Sequence, residues 1–347
     1  MIYSYHIGLF PTLTGELNGT ACWTKARPCA TQPWGEITAK TNGGVPQAAD
    51  LAAHTAQVKV DVANMIPDEH FDGILVVDYE AWRPLFSECC DSLSLYREYF
   101  ARLVRADPAW PAGQNASEVA AEAERRFNAG AKTFFVATVA AIRGVRPHAR
   151  VGFYSQRIDG SNSTAGMESN AELAWLWEIV DVLCPSIYPH STNATSEAAR
   201  AAGFIAGAIS SAAMVTSKSR PAVMPYGRAM MLDAKSQTPF TPGIVAAQIQ
   251  VAAGMGAEGV ILWGASSDYR GDGCGEIEEV LTGFAGPTVQ TCIANRAACA
   301  AQHCHGRGRC VDYDPSRLAE TCVVDDAPAV ACRCDAGSAG ADCSGTL

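Results

Sequence analysis

Asp78 and Glu80 stand two residues apart at the end of the apolar run Gly73-Ile74-Leu75-Val76-Val77. Residues at that spacing on a strand point to the same side. Two neighbouring carboxyls cannot both ionise cheaply, so one pKa rises and that group can act as a general acid near neutral pH. Cleavage of a glycosidic bond needs such an acid to protonate the leaving oxygen. The competing reading is a solvated or cation-binding loop, because Asp-x-Glu alone is a common pattern. The strand before the pair and Trp82-Arg83-Pro84 just after it favour the catalytic reading. Four further apolar runs finish on Tyr154, Tyr188, Tyr226 and Trp263. Aromatic faces stack on sugar rings, and tyrosine hydroxyls can hydrogen-bond them. Any one of these rings could serve packing; four at successive strand ends point to a sugar cleft.

The elements that must carry these residues alternate along the chain. Strands are expected at Ile2–Phe10, Gly73–Tyr79, Val151–Ser155, Val182–Tyr188, Ala222–Tyr226 and Val260–Trp263. Helices are expected at Ala48–Met65, Leu93–Arg105, Ala116–Gly144, Ser196–Val215 and Pro242–Gly254. This β-α alternation implies a parallel sheet, and continuous apolar strands imply burial on both faces. Six strands with helices between them fit a distorted (β/α) TIM-like barrel, which places its chemistry at the C-terminal strand ends. No glycine-rich phosphate loop follows the first strand, which counts against a dinucleotide fold. The barrel is assigned to residues 1–287, with a linker near Ala285-Gly286-Pro287, and a small module to residues 288–347.

Eight of the fourteen cysteines lie between Cys292 and Cys343. A segment that short cannot build a strong core, so it reads as a disulfide scaffold. Zinc is the alternative, but Cys332-Arg333-Cys334 is too tight for a knuckle, and no metal or other cofactor is expected. Sequons begin at Asn18, Asn115, Asn162 and Asn193. Together with the cysteines they imply a secreted or lumenal, lysosomal-type route. The start, Met1-Ile2-Tyr3-Ser4-Tyr5-His6, lacks the basic n-region of a signal peptide, so the sequence reads as mature or truncated at its N-terminus. No stretch is long and apolar enough for a membrane span. The net charge of −10 excludes a basic nucleic-acid footprint. It also gives no general pull on a polyanion, which would need local arginines.

Val77-Asp78-Tyr79-Glu80-Ala81-Trp82-Arg83-Pro84-Leu85-Phe86 resembles the hallmark of the animal hyaluronidase family of glycoside hydrolases. The likeness continues in order along nearly the whole chain. It takes in Ile2-Tyr3, Asn42-Gly43-Gly44-Val45-Pro46-Gln47, Arg146-Pro147, Gly152-Phe153-Tyr154 and Leu173-Ala174-Trp175-Leu176-Trp177. Pro185-Ser186-Ile187-Tyr188 and Gly259-Val260-Ile261-Leu262-Trp263-Gly264 complete it, and the tail resembles that family's EGF-like module. The resemblance implies a retaining, substrate-assisted mechanism in which the substrate's N-acetyl carbonyl attacks the anomeric carbon. By the same carry-over Glu80 is the proton donor and then the base, Asp78 positions the acetamido group, and Tyr188 stabilises the oxazoline-like charge. Tyr3, Arg83, Tyr154, Tyr226 and Trp263 would contact substrate. The implied bridges are Cys299–Cys310, Cys304–Cys332 and Cys334–Cys343, with Cys292 and Cys322 left as an extra pair. Cys22 and Cys29 could close a short loop that the family does not explain.

The chain departs from the family in three places. No cysteine precedes Tyr3 to pair with Cys274, Gln156–Asn170 carries none, and the helix after Tyr188 has Arg200 and then no basic residue before Lys218. The expected activity is that of an endo-β-N-acetylhexosaminidase on hyaluronan, chondroitin or a related N-acetylated polysaccharide, acting as a monomer. Two alternatives stand beside it: a chitinase-like hydrolase, and an inactive sugar-binding or adhesion protein.

Overall fold

The computed structural model describes residues 1–15, 37–89, 93–111, 113–154, 158, 164–217, 219–231, 238–269, 273–314, 322, 330–335 and 337–346. Two compact units divide the chain: Met1–Arg157 with Glu172–Asp181, and Ile158–Ala171 with Val182–Leu347.

In the first unit β4 (Ile74–Asp78) lies between β1 (Ile2–Tyr3) and β5 (Arg150–Tyr154), parallel to both. Leu75, Val76 and Val77 are buried, as both faces of a parallel strand require. The expected strand Ile2–Phe10 survives only as Ile2–Tyr3. A 3₁₀ turn, Ser4–His6, follows it, and Gly8 takes a φ of +64°. A Cβ at Gly8 would stand 2.5 Å from Val58 Cγ2, so this close approach requires glycine. The Gly8 and Leu9 N–H groups then donate to Asp61 and His54 side chains instead of a ladder. Those side chains belong to α1 (Leu51–Met65). A hairpin of β2 (Thr12–Gly15) and β3 (Ile37–Thr41), absent from the expectations, is antiparallel.

Helix α2 (Ser94–Ala106) packs against α3 (Ala116–Val145), as does α1. Asn115 caps α3: its side chain accepts from the Ser117 and Glu118 N–H groups, while Glu118 accepts from the Asn115 N–H. Arg146 of the family-like motif is a buried clamp whose guanidinium donates to the Ile66 carbonyl at the end of α1. In chain order α4 (Thr164–Glu172) and α5 (Ala174–Ile179) come next, and Trp175 of α5 meets Phe135 of α3 edge-on.

The second unit holds two parallel pairs, β6 (Val182–Cys184) with β7 (Ala222–Val223) and β8 (Tyr226–Arg228) with β9 (Ile261–Trp263). Pro185 and Pro225 shorten the expected strands because they have no N–H to donate. Their carbonyls still accept, from Tyr226 and Ile261. Asn193 caps α6 (Ala194–Ala213) through the Ser196 N–H. Ile244, Val245 and Ile249 of α7 (Pro242–Gly254) share a core with Val280 of α8 (Gly273–Val280) and with Cys292 and Cys322. The expected linker is helical: a π-turn, Leu281–Ala285, runs straight into α9 (Gly286–His303). Pro287 lies inside this continuous helical run, where its missing N–H withholds one helical hydrogen bond.

Beyond α9, β10 (Gly308–Val311) pairs with β11 (Ala331–Cys334), and β12 (Ser338–Ala339) with β13 (Gly345–Thr346). Four disulfides hold this module, with the pairing the resemblance implied: Cys299–Cys310, Cys304–Cys332, Cys334–Cys343 and the extra Cys292–Cys322. Glu258, four residues after α7, accepts from Arg333 at 2.7 Å. Among the described residues no helix is long and apolar enough to cross a membrane. The sequons at Asn18 and Asn162, and Cys22 and Cys29, lie outside the described residues.

Candidate active site

The first unit puts three expected site residues in one row. Tyr3 is the register partner of Asp78, and Val77 faces Phe153, so Tyr154 falls beside Asp78 on the other neighbouring strand. Side chains alternate along a strand. Phe153 therefore turns onto Phe135 of α3, 4.6 Å between centroids, while Tyr154 turns the other way. The Asp78 carboxyl is raised to about 6, by burial in this row first and by the Glu80 charge next, with the Arg83 charge opposing both.

Glu80 lies just beyond the strand and its side chain is 49% exposed, whereas that of Arg83 is 14% exposed. Arg83 Nη2 donates to Glu80 Oε1 at 3.3 Å, so the expected substrate contact of Arg83 is also a brace on Glu80. Between the two carboxylates Tyr79 points into the core. Its hydroxyl donates to the Pro11 carbonyl at 2.6 Å, and the Trp82 indole donates to the same oxygen at 2.9 Å. Trp82 is fully buried among Phe127, Phe134 and Phe135. The turn is pinned once more by the Arg83 N–H, which donates to Cys89 Sγ. Burial pushes that thiol up to about 12, so Cys89 is a neutral packing group.

The second unit builds an aromatic pair. Tyr188 and Trp263, both half-buried, stack with centroids 5.7 Å apart and planes inclined by 20°. Arg200 donates to the carbonyls of Ile187 and Tyr188, so the lone arginine of that helix holds backbone. Arg228 is the register partner of Trp263, and its guanidinium carbon lies 4.7 Å from the Trp263 centroid and 5.7 Å from that of Tyr188. It is 1% exposed and pairs with Asp268 at 2.9 Å. Arg228 Nη1 has no hydrogen-bond acceptor among the described residues, which leaves that part of the cation to the rings. Gln248 fixes the strand here, accepting from the Arg228 N–H at 2.8 Å and donating to its carbonyl at 2.9 Å. A Cβ at Gly227 would meet Gln248 Oε1 at 2.4 Å. Among the described residues no group of three His, Cys, Asp or Glu side chains could hold a metal ion.

A family model described as Hyaluronidase matches residues 32–321. The chain belongs to the hyaluronidase family. The hyaluronidase of Apis mellifera is 30% identical over 308 residues, 85% of this chain and 74% of that protein. The chondroitin hydrolase of Caenorhabditis elegans is 28% identical, covering 87% of this chain and 66% of its own length. The crystal structure of bee venom hyaluronidase in complex with a hyaluronic acid tetramer matches with a TM-score of 0.70 at 28% identity. That match covers 82% of this chain and 84% of the bee chain, and it agrees with the distorted (β/α) barrel class expected from the sequence.

Within this hyaluronidase-family chain one expected contact fails. Tyr226 is 1% exposed, and a ring that water cannot touch is out of reach of a sugar. Its backbone does the work, donating to Pro185 and accepting from Ile187. Tyr154 is 7% exposed. Arg228 and Asp268 were not among the expected residues. The signal was an arginine inside the apolar run Met224-Pro225-Tyr226-Gly227-Arg228-Ala229-Met230, where a buried charge demands a partner. Asn115 and Asn193 are exposed, but both already cap helices.

Proposed function

We propose that this chain is a secreted or lumenal, monomeric endo-β-N-acetylhexosaminidase. It cuts hyaluronan or chondroitin by a retaining, substrate-assisted route, without a cofactor. The observation that carries the reading is the carboxylate pair: Asp78 held up to about 6 at the end of β4, and Glu80 exposed and braced by Arg83. Family membership and the names of the bee and nematode relatives supply the substrate class.

Glu80 gives its proton to the leaving glycosidic oxygen as the bond to the anomeric carbon breaks. The substrate's acetamido oxygen forms the new bond to that carbon, so no enzyme nucleophile is used. Asp78 orients the acetamido N–H and stabilises the positive charge that develops on the ring. Tyr188 donates its hydroxyl to the acetamido oxygen and holds that oxygen in line with the anomeric carbon. Water then attacks the anomeric carbon, the bond from that carbon to the acetamido oxygen breaks, and Glu80 takes the water's proton. The test is digestion of hyaluronan, chondroitin and chitin with reducing-end detection, beside de-N-acetylated hyaluronan. Cleavage of the acetylated glycosaminoglycans alone is expected. Efficient cleavage of the de-N-acetylated polymer would refute the mechanism, and binding without reducing-end release would refute the activity.

A further inference from the structure

Tyr5 is the most exposed large hydrophobic side chain among the described residues, at 74%. It sits in the 3₁₀ turn that leaves β1, two residues past Tyr3, the register partner of Asp78. Its ring lies flat against that of Tyr3, centroids 5.3 Å apart and planes within 7°. His6 abuts it edge-on at 4.4 Å and 67°. Tyr3 thus covers one face of Tyr5 and His6 lies against it at a steep angle, yet three quarters of the side chain stays open to water. Met1 and Leu9 of the same segment also stand in solvent, at 41% and 39%. Scattered apolar exposure needs no explanation, but an aromatic held by two ring neighbours, open to water and two residues past the strand partner of Asp78, does.

We propose that Tyr5 is a sugar-binding platform, which extends the substrate groove one ring beyond Tyr3. This rests on the proposed function above. The equatorial substituents of a β-linked hexopyranose leave axial C–H groups on its faces, and such a face packs on an aromatic ring. Tyr5 offers one open face of the right size. Its stack on Tyr3 and its edge contact with His6 order the ring beforehand, so little side-chain entropy is lost when sugar arrives. A ring face is uncharged. The platform therefore supplies a grip on the polymer that does not depend on arginines, which suits a chain of net charge −10.

The test uses the full chain with Glu80→Gln, so that polymer is bound but not consumed. Affinity for hyaluronan and chondroitin oligosaccharides is measured by titration calorimetry in this parent and with Tyr5→Ala or Tyr5→Phe added. An aromatic stack contributes about 0.5–1.5 kcal/mol, so Tyr5→Ala is expected to weaken binding about two- to twelvefold. Tyr5→Phe, which keeps the ring, should stay within about twofold of the parent. Tyr5→Trp adds a local readout: its emission is expected to change as saccharide is added. Equal affinity of Tyr5→Ala and parent, or a Tyr5→Trp signal blind to saccharide, would overturn the platform while leaving the proposed function intact. A parent that binds neither saccharide would overturn both.

Discussion

Arg228→Met tests whether a buried ion pair holds up the aromatic pair of the second unit. The guanidinium lies 2.9 Å from Asp268, with side-chain exposures of 1% and 8%. Removing one partner of such a pair strands the other charge and costs about 3–5 kcal/mol. Asp268 keeps the Ala265 N–H at 2.8 Å, which places the loss near the lower end. The bond from Arg228 Nε to the Met230 carbonyl, 3.0 Å, adds about 1 kcal/mol. The expected destabilisation is therefore about 4 kcal/mol, read as a lowered midpoint in non-reducing urea titration. Adding Asp268→Asn removes the stranded charge while an amide oxygen still accepts from Ala265. The double variant should recover about 2 kcal/mol, within the range measured for coupled neighbours. A single variant within about 1 kcal/mol of wild type, or a double variant less stable than the single, would refute the reasoning.

Glu80→Gln should fold normally and lose about 10²- to 10⁴-fold in turnover, measured as reducing ends released from hyaluronan. Tyr188→Phe should lower kcat more than it raises KM, whereas an unchanged kcat would make Tyr188 a packing residue. Asp78 is raised from 3.8 to about 6, so the folded chain holds a proton that the unfolded chain releases. That contribution to stability is present below about pH 4 and is lost as pH rises towards 6. The stability difference between wild type and Asp78→Asn should move with that slope across the window, and a flat difference would contradict the burial of Asp78. Asn115→Gln, the usual way to delete a sequon, should cost about 1 kcal/mol even in unglycosylated protein because it removes a helix cap. Ser117→Ala deletes the same sequon and should not, which thermal melts of the two can check.

Much of the scaffold was legible because burial writes itself into continuous apolar runs. Gly73–Tyr79 became β4 within a residue at each end, and Pro242–Gly254 became α7 without change. Strand ends were less legible where side chains replaced the ladder, as His54 and Asp61 do around Gly8, or where Pro185 withheld an N–H. The hairpin of β2 and β3 escaped because most of β3 faces water and carries no apolar alternation. Several motifs behind the resemblance proved to be scaffold: Arg146 closes a helix, Asn42 donates to the Leu9 carbonyl, and Trp175 packs on α3. The carboxylate pair stood out in the sequence by its spacing together with the strand before it and Trp82-Arg83-Pro84 after it. Tyr226 was misjudged because a strand-end aromatic looks the same in sequence whether it faces the mouth or the interior.

The helix that runs through Pro287 bears on how this chain can change over evolutionary time. Modules that recombine freely are joined by slack segments, where a crossover leaves both parts intact. Here the seam is packed and bonded: Cys322 sits in the same core as α7, and Glu258 binds the β7 backbone and Arg333 at once. A crossover at this seam would expose Val245 and Ile249 and leave a carboxylate without its cation. The two parts are therefore expected to be inherited together and to drift as one, with substitutions at Glu258 and Arg333 compensating each other across the seam.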